Sequence, residues 1–222
     1  MTRSPLPQPS PPEFWTVVLA TYGVHLAISA WRLSTQGFQG NVLLTDARLL
    51  TLLAGEVVLA VLLGRYLYVR GWRLEHFRFQ LTLRQAGAGV VLWFVSYLAY
   101  AAVALLLLRV PAVRSAVAQV SLQHSITFPV AALLCVVNPA FEEFLNLGYL
   151  QQRLSHHGAA FAIGTAMLLR LLTHVYQGPV AVLSILPTGL VFGWYFWSRG
   201  KLFPVVFAHA LADFLAFGLQ RT

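Results

Sequence analysis

The sequence predicts an all-α protein, a polytopic transmembrane helical bundle of about seven spans, and three observations carry that prediction. The 222 residues are 58% hydrophobic and only 10% charged, with a mean hydropathy of +0.70; soluble domains carry about 25% charged residues. Apolar runs close to the ~20 residues that a helix needs to cross a bilayer recur along the chain. No strand-length alternation appears between them, and lipid admits only helices or closed barrels.

In chain order, the Pro- and Ser-rich stretch 1–13 reads as a disordered tail. It is not a signal peptide, because the apolar run starts only after about a dozen polar residues and no small-residue cleavage site follows. Residues 14–125 hold N-terminal spans at Phe14–Ala30, Leu49–Tyr68 and Ala86–Leu108. The shorter, more polar stretch from Val110 to His124 reads as a loop or an interfacial helix. Residues 126–222 form a helical core with spans at Ile126–Arg153, Ala159–Val175, Val180–Trp197 and Leu202–Leu219. Turns are marked by "HHG" at 156–158, "QGP" at 177–179 and "SRGK" at 198–201, and the sequence has no internal repeat.

The net charge is +8, from fourteen arginines and one lysine against seven acidic residues. These cations read as cytoplasmic-loop and headgroup anchors, with the loop from Arg70 to Arg84 on the cytoplasmic side. Nucleic acid is excluded as a partner, since no basic run is interleaved with exposed aromatics. The single Cys135 leaves no disulfide framework and no CxxC metal site, and reads as a small core residue.

The polar residues at membrane depth are the functional candidates, because burying them there is costly. Glu142 and Glu143 adjoin each other in "VVNPAFEEFLNLGYL". Neighbours on a helix differ by about 100°, so the two point different ways. Glu142 shares a polar stripe with Asn138, Asn146, Tyr149 and Arg153; Glu143 shares an apolar one with Pro139, Leu147 and Leu150. Glu142 is therefore the better candidate to face a cavity, with Glu143 supporting it or bonding a neighbouring helix. His209 and Asp213 form an i, i+4 pair on the last helix, where the Asp can orient the imidazole. His174 shares a face with Arg170, a cation that requires an acidic partner in lipid. Glu142 precedes His157 by 15 residues and His174 follows it by 17. Two antiparallel helices joined at that turn bring both to a depth of roughly 22–26 Å.

These residues resemble the CAAX-protease and bacteriocin-processing (CPBP, or Abi) family of intramembrane proteases. The adjacent Glu pair, the His of the span ending "HVYQGP" and the segment "FPVVFAHALADFL" follow the order of that family's EExxxR, FxxxH and HxxxN/D motifs, and the resemblance covers about residues 126–219. It implies Glu142 as the water-activating base, Glu143 as its neighbour, and His174, His209 and Asp213 as the remaining site residues. A bacterial subgroup that processes C-terminal sorting signals (myxosortase-like) is similar in being small and motif-divergent. The resemblance further implies residence in a bacterial inner membrane and a membrane-associated protein or peptide as substrate. Two positions depart from the pattern: the motif arginine is Leu147 here, and the phenylalanine is Arg170. An arginine lost from one helix and gained on the next predicts that Arg170 pairs with Glu142 or Glu143.

Peptide hydrolysis needs a base, a water pocket and donors for an oxyanion, and the glutamates and histidines are suited to these roles. Catalysis without a cofactor is the favoured expectation. Glu142, His174 and His209 are also the ligand types of a Zn²⁺ site with an open position, although no HExxH is present. A proton- or ion-coupled transporter also places Glu, His and Arg at depth, but no paired broken helices mark one. A non-catalytic scaffold on a degenerate protease fold is the third reading, encouraged by Leu147.

Overall fold

Most of the helices begin where the sequence supplies a start signal, and the turns between helices set which polar residues meet. A computed structural model describes residues 6–8, 10–37, 42–118 and 122–218. Among the described residues, nine α-helices run in the order α1 (Pro11–Val18), α2 (Val24–Gln36), α3 (Asp46–Val69), α4 (Leu83–Leu107), α5 (Pro111–Ala118), α6 (Phe128–Glu143), α7 (Ala159–His174), α8 (Pro179–Arg199) and α9 (Phe203–Asp213). Prolines occupy the first turns of α1, α6, α8 and α9, where a missing N–H costs nothing. The Thr45 and Thr82 hydroxyls accept from Arg48 N and Gln85 N at the starts of α3 and α4. The turns predicted at "HHG" and "SRGK" pass through Gly158 and Gly200 at φ 92° and 60°, backbone that a side chain would strain.

Among the described residues, three π-helical stretches interrupt or extend these helices. Leu19–Gly23 joins α1 to α2, Phe144–Gln151 continues α6, and Phe214–Gly218 continues α9. With its extension, α6 is one of four helices among the described residues that are long and apolar enough to cross a membrane: Pro11–Thr35, Asp46–Val69, Leu83–Leu107 and Phe128–Gln151. Ala159–His174 and Phe203–Phe217 are apolar but shorter. The molecule is thus an all-α integral membrane bundle.

The structure departs from the sequence reading at two places. Two four-residue strands, β1 (Val42–Thr45) and β2 (Leu122–Ser125), pair in parallel with Thr45 opposite Ser125. Such segments are too short for alternation to reveal. They set the starts of α3 and α6 side by side, and Asp46 completes the junction by accepting from Thr127 N and Thr127 Oγ1, both at 2.8 Å. The tail predicted through residue 13 ends sooner. Residues 1–5 and 9 lie outside the described residues, but α1 starts at Pro11 and Glu13 is buried. The predicted end of the last span at Leu219 also lies outside the described residues.

The main core gathers Val17, Tyr22, Leu67, Trp72, Leu147, Tyr149, Phe192, Leu202 and Val205, among others, from nearly every helix. A smaller cluster of Leu49, Leu53, Val130 and Leu134 joins α3 to α6. Helix α9 lies against α4 at Gly89, where an added Cβ would stand 2.9 Å from Pro204 O and from Phe207 Cδ1. Large apolar side chains on α3 and α4, such as Val61, Leu62, Val91 and Phe94, are exposed, as lipid-facing positions are.

Candidate functional site

The adjacent glutamates close α6 and take up opposite situations. Glu143 is completely buried, together with Pro139, Leu147 and Leu150 of its stripe. Its Oε1 accepts from Arg170 Nη2 of α7 at 2.6 Å and from His209 Nδ1 of α9 at 2.8 Å. A carboxylate oxygen only accepts, so the proton of His209 sits on Nδ1. His209 Nε2 lies 3.8 Å from Asp213 Oδ2, too far for a direct hydrogen bond. The expectation that Asp213 orients His209 is thus corrected in emphasis: Glu143 holds the ring, and Asp213 stands off the far nitrogen.

Arg170 reaches further. With the Asn146 amide oriented to satisfy both ends, its oxygen accepts from Arg170 Nε and Nη2 at 3.2 and 3.3 Å. Its nitrogen then donates to Ala166 O at 3.0 Å and meets Tyr22 OH at 2.9 Å. Arg170 is the cation that faces the pair, while Leu147 is packed into the main core.

Glu142 keeps about a fifth of its side chain exposed (21%), as does His174 (24%). Asn138 Nδ2, one turn earlier, donates to Glu142 Oε1 at 3.3 Å. His174 Nε2 lies 3.7 Å from the same oxygen. On the other side of its ring, His174 Nδ1 stands 2.8 Å from Arg170 O, a carbonyl that can only accept. The hydrogen is therefore on Nδ1 and, in the neutral ring, Nε2 presents a lone pair toward Glu142.

All seven residues singled out in the sequence (Glu142, Glu143, Asn146, Arg170, His174, His209 and Asp213) thus fall in one neighbourhood. The polar stripe is not a single surface, however. Asn138 and Glu142 serve the site, whereas Tyr149 and Arg153 converge on Glu13: Tyr149 OH donates to its Oε1 at 3.1 Å and Arg153 Nη2 at 2.5 Å. The i→i+5 bonding from Phe144 onward does not keep the 3.6-residue period that the stripe assumes. One participant escaped the sequence reading. Glu56 of α3 is buried and its Oε1 accepts from Asn138 Nδ2 at 2.7 Å. Its signal was available: a lone carboxylate in the apolar run "LLAGEVVLAVLL".

A zinc site fits these side chains poorly. Glu142 and His174 face each other, but His209 turns its Nδ1 to Glu143. Among the described residues no three His, Cys, Asp or Glu side chains converge as a metal shell needs. A cavity of ≈ 250 Å³ lies elsewhere, lined by Leu6, Arg78, Gln151, Gln152, Ser155 and Phe196, and contains none of the site residues.

Residues 124–215 match a family model described as type II CAAX prenyl endopeptidase Rce1-like. No curated protein and no solved structure gives a significant match to the chain.

Proposed function

We propose that this chain, whose residues 124–215 match the CAAX endopeptidase family model, is an intramembrane endopeptidase that hydrolyses a peptide bond in a membrane-associated protein or peptide. The observation that carries the reading is the contrast within the glutamate pair. Glu143 is buried and held by two donors, Arg170 and His209, while Glu142 is partly exposed and 3.7 Å from His174 Nε2. That separation exceeds a hydrogen bond and suits a water that donates one proton to Glu142 and the other to Nε2. Its oxygen is then free to attack the scissile carbonyl carbon as Glu142 takes the proton. The C–N bond breaks when the same proton passes to the leaving amine. His209, when protonated, is a donor to the developing oxyanion.

In this reading the reaction uses no metal, and the protein works in a bacterial inner membrane. A prenylated peptide, a bacteriocin leader and a C-terminal sorting helix are the substrate classes a site at membrane depth suits. The test uses protein stripped with a strong chelator, checked for metal content and given a membrane peptide substrate. Cleavage persists in the stripped wild type, and Glu142→Gln lowers turnover by about 10²–10⁴-fold without loss of expression. Cleavage that vanishes on stripping and returns with Zn²⁺ overturns the metal-free half. A Glu142→Gln variant that cuts at the wild-type rate overturns the base assignment. Ion flux lost without any cleavage in the wild type marks a transporter instead.

A further inference from the structure

We propose that Glu56, on the helix α3 outside the family-matching segment, is a positioning residue for Glu142, acting through Asn138; this rests on the role of Glu142 proposed above. Asn138 has one NH₂ group, and both of its hydrogens are used on carboxylates: Nδ2 donates to Glu56 Oε1 at 2.7 Å and to Glu142 Oε1 at 3.3 Å. The short bond to Glu56 fixes where the amide sits, and the amide in turn fixes where the partly exposed Glu142 can go. Without Glu56 the Asn138 side chain has no acceptor on that side, and Glu142 loses the only protein hydrogen bond described for it.

The fold brings the two glutamates together by register. The parallel pairing sets Thr45 opposite Ser125, and Asp46 bonds Thr127, so α3 and α6 start level and run the same way. Glu56 lies 10 residues beyond Asp46 and Asn138 lies 11 beyond Thr127, roughly 15 Å along each helix at 1.5 Å per residue. The cluster of Leu49, Leu53, Val130 and Leu134 locks the two helices together on the way.

Packing alone gives no reason for a glutamate at this position. It is 4% exposed, Oε2 finds no partner among the described groups, and no cation is paired with it. A methionine there fills comparable space at no electrostatic cost. A carboxyl group retained at span depth with half its oxygens unsatisfied is what a functional constraint leaves behind.

The experiment compares Glu56→Met and Glu56→Gln, purified in detergent, for cleavage of the membrane peptide and for thermal midpoint. Glu56→Met keeps the fold and lowers kcat by about 10–100-fold with KM little changed, as expected for a misplaced base. Glu56→Gln still offers Asn138 an amide oxygen and recovers most of that loss. A structural role moves neither kcat nor the split between the two variants. The midpoints of Glu56→Met, Asn138→Leu and the double variant give a readout that needs no activity: for partners in contact, the double variant falls short of the summed effects. Wild-type kcat in Glu56→Met, beside an inactive Glu142→Gln, overturns this proposal and spares the function. Additive midpoints overturn it as well. A wild type that cuts nothing, with non-additive midpoints, overturns the function while upholding the Glu56–Asn138 link.

Discussion

Arg170 and Glu143 form a fully buried ion pair, and such pairs are most informative when broken. Removing one partner strands the other charge, at a cost of about 3–5 kcal/mol, whereas replacing both by apolar groups is often neutral. Arg170→Leu should therefore unfold far more readily than wild type, and Arg170→Leu with Glu143→Leu should recover much of that loss. The same logic tests the displaced arginine. Leu147→Arg alone puts a second guanidinium in a position that is 1% exposed and should be strongly destabilising. With Arg170→Phe, which restores the family pattern, it should regain stability; detergent unfolding midpoints read both. A double variant no better than the single would sink the idea that the two positions exchange one cation. The residues of this network were legible because charge at membrane depth is conspicuous in sequence. Their roles were less so. That Glu143 rather than Asp213 bonds His209 depends on α9 passing beside the end of α6, which no i, i+4 count contains.

Among the elements, the π-helical stretches stand out by position. Each adjoins a polar participant: Leu19–Gly23 contains Tyr22, Phe144–Gln151 follows Glu143, and Phe214–Gly218 follows Asp213. Such insertions concentrate at functional sites because they re-aim side chains within a helix. They also explain where a helical wheel went astray, assigning Tyr149 and Arg153 to the face of Glu142 when they serve Glu13. The spans themselves were readable from hydropathy and turn residues, since both act locally. The strands β1 and β2 were not, because a pairing across 80 residues leaves no local trace. Element packing gives its own prediction at Gly89. A methyl group there meets the Pro204 carbonyl, backbone that cannot step aside, so Gly89→Ala must push α4 from α9. The expected cost is about 1–3 kcal/mol of stability. Turnover should fall by up to about 10²-fold, because α9 carries His209 and Asp213. Gly87→Ala, whose methyl group meets nothing within 4 Å, is the control, with stability and turnover near wild type.

At the scale of the molecule, two buried ion pairs among the described residues lie in different settings. Glu143–Arg170 lies in the site, while Glu13–Arg153 ties α1 to the end of the long α6 helix. The second tie is dense. Glu13 also accepts from Trp72 Nε1 and Tyr149 OH, Arg153 stacks 4.6 Å over the Trp72 ring, and its Nη1 donates to Pro7 O. The hydrogen bonds described for it end on other protein groups, and none of them reaches Glu142, Glu143, His174, His209 or Asp213. It is therefore a clasp that holds the N-terminal helix onto the segment matched by the family. Glu13→Ala should leave the Arg153 guanidinium buried and unpaired, costing about 3–5 kcal/mol, and adding Arg153→Met should restore part of it. The decisive quantity is turnover per folded molecule, obtained by titrating active protein beside the unfolding midpoint. A clasp lowers the midpoint and leaves that turnover alone, whereas Glu56→Met is expected to lower that turnover. If Glu13→Ala lowers turnover per folded molecule as steeply as Glu56→Met, the two polar clusters act as one, and the division between assembly and chemistry must be abandoned.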